Sequence, residues 1–410
     1  MDIKNLLNSP VRGKTGPILV VVVGCMVIGG LAWWYSPGNA ASRYRRMSLS
    51  DLKQTLDQNP NDALASRAFA LRLGRDGDPE TSETALRNAL ALNPDDPEVA
   101  TRLGELLMRN GQSVEAFQVL KSVAGRFPQY LPGRSALGSF YMKNAAYVHA
   151  STEYEAVLAQ DKSAADAWYQ LAVCYMHRQQ SSKTLTAIDT ALRLHPDNPE
   201  YLVLKGSTDV TLGNVSAGIE ETRRAAQLAP TNVAINSALV TLLLNQHRSD
   251  AEVELAEQTL GRVEQLQPDY PLLPFQHGEL ERIRQHWLPA SLYLQKALVA
   301  TPRQNEIYFA LSQVYRRLNR TQAADQMMRT FQQRQQLDLR VGEVRIALSE
   351  HPNDPDLYAQ LADLQLRLGD REGARINIRA GLAIDPANVR LQMELRTMAT
   401  QTTTGKGTQP

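Results

Sequence analysis

Residues 165–198 read ADAWYQLAVCYMHRQQSSKTLTAIDTALRLHPDN, a block that carries the plan of most of the chain. Apolar residues recur in it at helical spacing in two runs, one through Trp168, Leu171, Ala172 and Tyr175 and one closing on Ala191. The block therefore predicts two amphipathic helices. Pro196 stops the second, because proline offers no N–H and disfavours helical geometry in the residue before it, and the Asp or Asn that follows can cap the next helix. A stop signal is joined to a start signal, as it is again in Asn93-Pro94-Asp95-Asp96-Pro97.

The same punctuation recurs at a fixed period. Pro60, Pro94 and Pro128 stand at a constant interval of 34, Lys162 holds the next beat without a proline, and Pro196 and Pro230 follow. Pro268, Pro302, Pro352 and Pro386 continue the series at intervals of 38, 34, 50 and 34. Counted from the marks, the recurring tendency is a large residue 6 on, Leu 9 on, a small residue 10 on, Tyr or Leu 13 on, and Ala 22 and 29 on. The second block shows the pattern in Leu103, Gly104, Leu107, Ala116 and Leu120. Small residues such as Gly104, Gly138 and Gly206 let the first helix approach its partner, and Ala89, Ala191, Ala225 and Ala297 do the same on the second. Gly77, Gly111, Gly213 and Gly369, each 17 on from its mark, suit a left-handed turn between the two helices.

This pattern resembles the tetratricopeptide repeat, whose spacing of Trp, Leu-Gly, Tyr, Ala and Pro it follows. Single blocks depart from it: Lys205 and Asp209 occupy apolar positions, and Pro274 stands in place of the Trp. The resemblance implies an all-α chain, an α-solenoid superhelix of about nine to ten helix-pair repeats with a concave inner face. The main array covers residues 48–336, opened by a lone helix at 49–58. An extra helix at 337–350 fills the longest interval and starts a C-terminal module, residues 337–398, which ends in a closing helix at 387–398. A polar tail, 399–410, is expected to be disordered.

One segment falls outside the repeats. Residues 18–35, ILVVVVGCMVIGGLAWWY, hold no charge and would span roughly 27 Å as a helix, so they are expected to form a single transmembrane helix. It would follow a charged tail, residues 1–17, and precede a linker, residues 36–47. A cleaved signal peptide ending near Ala40 and a lipobox at Cys25 are the rival readings. With Lys4, Arg12 and Lys14 before the segment and Arg43, Arg45 and Arg46 after it, orientation is poorly defined; the expectation is a bacterial-type inner membrane with the repeats periplasmic.

The chemistry expected of the chain is binding. With 44 Lys+Arg against 43 Asp+Glu, the chain lacks the basic surface of a nucleic-acid binder. Two cysteines and seven scattered histidines make no metal-ligand spacing, Gly13-Lys14-Thr15 lacks the earlier glycine of a P-loop, and no nucleophile motif occurs. No enzyme activity, cofactor, metal or small-molecule substrate is expected. The partners expected are proteins or peptides, besides the membrane itself. The resemblance implies that first-helix residues 4, 7, 11, 14 and 15 past each mark line the inner face. That places Met108, Met142, Tyr169, Val173, Met176 and His177 there, the methionines recurring with the period of the repeat as adaptable apolar contacts or as packing between helices. Phe309, Arg316 and Arg317, with Phe275 and Arg282, form a second candidate surface. The function expected is a tethered scaffold for assembly, secretion or maturation of an envelope complex; a carbohydrate-handling role in polysaccharide export is the alternative. The Lys and Asn set that clamps chaperone carboxyl termini in some members of the family is missing, its positions holding Ser135, Ser139, Tyr169 and Val173.

Overall fold

The computed structural model describes residues 37–144, 146–245, 249–351 and 354–404, and every regular element among them is a helix. The chain divides into two compact units, Met1–Asn110 and Gly111–Pro410.

The first unit holds α1 (Pro37–Arg46), α2 (Leu49–Gln58), α3 (Ala63–Asp76), α4 (Pro79–Leu92) and α5 (Pro97–Arg109). Short polar residues start these helices where the sequence placed them. Ser48 accepts from the Asp51 amide, Asp62 from Ala65, Asp78 from Glu80 and Thr81, and Asp96 from Glu98 and Val99, so each N-terminus has some of its unpaired amides satisfied. The segment expected to be a linker is largely helix: Tyr44 of α1 packs beside Leu52 and Ala65, and its hydroxyl donates to the Asp62 cap at 2.7 Å.

The second unit is a run of helical hairpins. It begins with α6 (Ser113–Arg126), α7 (Leu131–Lys143), α8 (Tyr147–Gln160), α9 (Ala165–His177), α10 (Ser181–Leu194), α11 (Pro199–Thr211) and α12 (Val215–Leu228), in which α7/α8, α9/α10 and α11/α12 pair. Then come α13 (Val233–Asn245), α14 (Asp250–Leu266), α15 (Leu273–Ile283), α16 (Trp287–Ala300) and α17 (Asn305–Arg317). The run ends with α18 (Thr321–Glu350), α19 (Pro355–Leu368), α20 (Arg371–Ile384) and α21 (Val389–Thr404). The core is a chain of small clusters. Tyr154, Leu171 and Cys174 close the α7–α9 step, Ile188, Ala191 and Tyr201 the α9–α11 step, and Leu239, Leu243 and Leu260 sit in the next. Stability is thus divided among neighbouring interfaces.

The turn position 17 on from the mark is left-handed with or without glycine. Gly111, Gly213 and Gly369 have φ of 77°, 90° and 84°, and Gln179, Gln285 and Asn319 occupy the equivalent position at 57°, 62° and 58°. Gly77 departs from the expectation, with an extended φ of −93°. The extra helix expected at 337–350 is continuous with the preceding second helix: α18 runs unbroken for 30 residues, since neither proline nor glycine cap interrupts it near residue 337.

Residues 18–35, read above as membrane-spanning, lie outside the described residues. Among the described residues no helix is long and apolar enough to cross a membrane. That finding overturns the single-pass inner-membrane localisation and the periplasmic placement that rested on it. The physical reason is charge: α18 alone has the length, but it carries Arg329, Arg334, Asp338, Arg340 and Glu343 through its middle, and a charged residue at membrane depth costs about 2.5–3.5 kcal/mol.

Candidate functional site

Helix α9 carries four of the residues expected on the inner face, and they divide into two kinds. The Tyr169 ring stacks on Tyr201 of α11 with centroids 4.9 Å apart and 20° between planes, and the Tyr201 hydroxyl donates to Asp166 at 2.5 Å. Burial, and then the Glu200 carboxylate, raises the Tyr169 phenol above its ordinary pKa. Val173 is half-buried against the same cluster. Met142 of α7 is half-buried too, with the Cys174 thiol donating to its sulfur at 3.2 Å. Burial pushes that thiol up to about 12, so it is not a reactive thiolate. Tyr169, Val173 and Met142 therefore join one repeat to the next.

Met176 and His177 are different. Met176 is 38% exposed. The exposed His177 ring lies flat on Tyr147 at the start of α8, centroids 4.3 Å apart and planes within 5°. Burial of its inner side, and then the Arg345 guanidinium, holds the imidazole below its ordinary pKa. Met108, in the other unit, is half-buried on α5. The three periodic methionines thus have unlike surroundings.

A row of rings on α6, α7 and α8 escaped the sequence reading. Phe117 of α6 meets Phe140 at 5.4 Å and Tyr141 at 5.9 Å, and Tyr141 stacks on His149 at 5.1 Å. The signal available was position: Tyr141, Tyr147, His149 and His177 all flank a hairpin turn.

On α17, Phe309 is 40% exposed and its ring tilts against Phe331 at 5.4 Å. Arg316 lies 3.6 Å from Asp325, and Arg317 caps the Trp287 ring at 5.5 Å. Phe275 and Arg282 do not join them: Phe275 is core, and Arg282 is held by two bonds to Glu279 at 2.6 and 3.0 Å. The two tryptophans among the described residues are engaged as well, Trp287 under Arg317 and Trp168 donating from Nε1 to the Lys162 carbonyl at 3.0 Å. Among the described residues no three His, Cys, Asp or Glu side chains are grouped to hold a metal.

The fold and this surface define a helical-repeat protein. Tetratricopeptide repeat models match residues 67–130, 141–207 and 355–388, so these stretches of the chain carry tetratricopeptide repeats. Among solved structures it is similar to a tetratricopeptide repeat protein from Parabacteroides merdae, at 14% identity over 65% of this chain and 99% of that one, TM-score 0.50. It is also similar to MamA from Desulfovibrio magneticus RS-1, at 25% identity over 42% of this chain and 96% of that one, TM-score 0.38. YrrB, a repeat protein with an unusual peptide-binding site, is 15% identical over 47% of this chain and 98% of its own, TM-score 0.39. No curated protein matches the sequence.

Proposed function

We propose that the chain is a non-catalytic scaffold that holds partner proteins or peptides against the first-helix face around α9, and so serves the assembly, secretion or maturation of a larger complex. The repeat architecture supports this reading, because stacked hairpins present first-helix residues along a continuous face. The observation that carries it is the division within α9: Tyr169 and Val173 lock into neighbouring repeats, whereas Met176 and His177 remain exposed at the end of the helix. A flexible apolar side chain beside an imidazole stacked on a tyrosine suits an amphipathic helix or an extended peptide.

The test separates surface from packing. Met176→Ala with His177→Ala should weaken the strongest native partner, purified after pull-down, by about 2 kcal/mol, roughly 30-fold in Kd, with circular dichroism unchanged and melting lowered only by the loss of the Tyr147 stack, about 1 kcal/mol. Trp168→Ala, which removes a ring packed between two clusters, should instead lower the melting temperature. Unchanged affinity in the double variant would sink the α9 reading and move attention to Phe309, Arg316 and Arg317.

A further inference from the structure

Three cavities open at one place in the repeat. Leucine 9 on from the mark is core in six repeats, where Leu103, Leu137, Leu171, Leu239, Leu311 and Leu361 are 1–3% exposed. Phe69, Lys205 and His277 hold that position in three others. Each is only half-buried, and each lines a cavity together with the residues 25 and 28 on from its own mark. At Lys205 the charged walls satisfy one another, Glu221 and Asp209 pairing with the lysine and Asp197 with Arg224. The cavity at His277 is built differently.

It measures about 240 Å³ and lies between the end of α14, the loop that follows, the start of α15 and the C-terminal half of α16. None of the first-helix positions expected on the inner face lines it. Two departures from the repeat pattern meet there: His277 in place of leucine, and Pro274 in place of the large residue that Trp168 supplies in α9. The imidazole stacks on Tyr293 of α16, centroids 5.1 Å apart and 19° between planes, with its Nε2 3.6 Å from Glu264. The Lys296 ammonium sits 5.5 Å from the centre of the same ring. Tyr270 and Pro271 of the loop extend the apolar wall begun by Pro274. Neither the Tyr270 nor the Tyr293 hydroxyl has a hydrogen-bond partner among the described residues, although a half-buried tyrosine usually finds one. Glu264 and Asp269 in the lining offset the charge of Lys296 and of a protonated His277, so the cavity does not select a polyanion.

We propose that this cavity is a second binding site, which takes a proline of an extended, proline-rich peptide from a partner protein. Its volume is below that usual for a small-molecule site and suits one side chain of a larger ligand. Proline brings an apolar ring and no N–H, and the polyproline helix leaves its carbonyls open to any donor. The cavity supplies the complement: tyrosine rings and prolines for the ring, two free hydroxyls and an ammonium for the carbonyls. Such a peptide is stiff before it binds, so a shallow site loses little in ordering it. The site is separate from the α9 face and does not depend on it.

A fluorescein-labelled proline decamer, titrated with the full-length chain and read by anisotropy, is compared with glycine-serine and glutamate decamers. The proline peptide should bind about tenfold more tightly than either. His277→Leu puts back the pattern residue and fills the cavity; it should weaken the proline peptide about tenfold without lowering the urea midpoint, so that the loss does not come from unfolding. Tyr293→Phe keeps the ring and its stack, and should weaken binding about 5-fold by removing one hydroxyl. It reads the site whatever His277→Leu does to stability. Equal binding of the glycine-serine peptide, or tighter binding of the glutamate peptide, overturns the proposal. Full affinity in His277→Leu overturns it by putting the peptide elsewhere, and full affinity in Tyr293→Phe by removing the contact that selects the ligand. Met176→Ala with His177→Ala should leave the titration unchanged; a loss there would place the peptide on α9 and overturn the second site.

Discussion

The hairpins α7/α8 and α11/α12 each bring two helices close at a glycine, but with different interiors. In both, glycine stands 10 on from the repeat mark and faces the residue 16 further along. In α7/α8 that residue is Tyr154, whose ring lies over Gly138 so closely that an added methyl would sit 2.9 Å from Cζ. The Tyr154 hydroxyl pairs with Ser139 at 3.1 Å, and burial pushes the phenol up to about 12. In α11/α12 the ring is replaced by Thr222, and a second glycine, Gly218, brings backbone against backbone. Beside it, where the pattern calls for leucine, Lys205 reaches Glu221 at 3.2 Å and Asp209 at 3.4 Å. Close approach of the two helices can thus be met either by a ring on one glycine or by two glycines in contact.

The strongest test of that comparison is to add one methyl to each hairpin. In an unobstructed helix Gly→Ala gains about 1 kcal/mol. At Gly206 the new carbon would meet the Thr222 hydroxyl and lie 2.6 Å from the Gly218 carbonyl oxygen, a backbone atom that cannot rotate aside. Gly206→Ala should therefore lose about 3 kcal/mol, and Gly138→Ala, which has only to tilt a tyrosine ring, about 1 kcal/mol. Urea unfolding gives the size, and hydrogen exchange should rise chiefly in the altered hairpin and its neighbours. Equal losses at the two glycines would break the distinction between ring and backbone limits.

These glycines also show which features the sequence discloses. The repeat period, the proline stops and the polar caps are local chemistry, and the helix at 49–58 lies where they placed it. The residue that each glycine faces is equally periodic, but it becomes meaningful only once the two helices are laid side by side. The site was less legible. A helical wheel places Tyr169 and Val173 on the same face as Met176, and the interlock of Tyr169 with Tyr201 depends on the rotation between successive repeats, which a single block of sequence does not encode. The stacking of His177 on Tyr147 joins the ends of two successive hairpins, beyond what a single block of sequence discloses.

A smaller effect is expected from the polar interior of α11/α12. Burial alone would lower the Lys205 ammonium, but its hydrogen bond to Glu221 and the charges of Glu221, Asp209 and Asp189 outweigh that and hold its pKa above the ordinary value. A group raised on folding contributes stability below its unfolded pKa of about 10.5 and loses it as pH climbs through the folded value. Lys205→Leu restores the pattern residue yet removes the cation beside Asp209, whose side chain is 7% exposed and keeps only its bond from Asn214 at 3.3 Å. The cost should be about 1–2 kcal/mol at neutral pH, shrinking above pH 10.5. Adding Asp209→Leu should recover most of the loss, because both apolar positions are then filled. A double variant as unstable as the single would show that the ion pair is not what holds Asp209 inside.

The smallest effect lies in the turns, where the comparison passes from what fills a hairpin to what closes it. Gly213 closes α11/α12 at φ 90°, while Gln179 and Gln285 hold the same position in their hairpins at 57° and 62°. A side chain in the left-handed region costs about 1–2 kcal/mol, and glycine avoids that but gives back about 0.4–1 kcal/mol through a more flexible unfolded chain. Both glutamines are exposed, so their replacement removes no packing. Gln179→Gly and Gln285→Gly should therefore each gain about 0.5 kcal/mol, read as a shift in the urea midpoint at constant slope. Asn319→Gly, at φ 58°, should gain less, since asparagine tolerates this conformation better than glutamine does. A loss at Gln285 would mean that its side chain serves the turn, and the equivalence of glycine and glutamine at this position would fail.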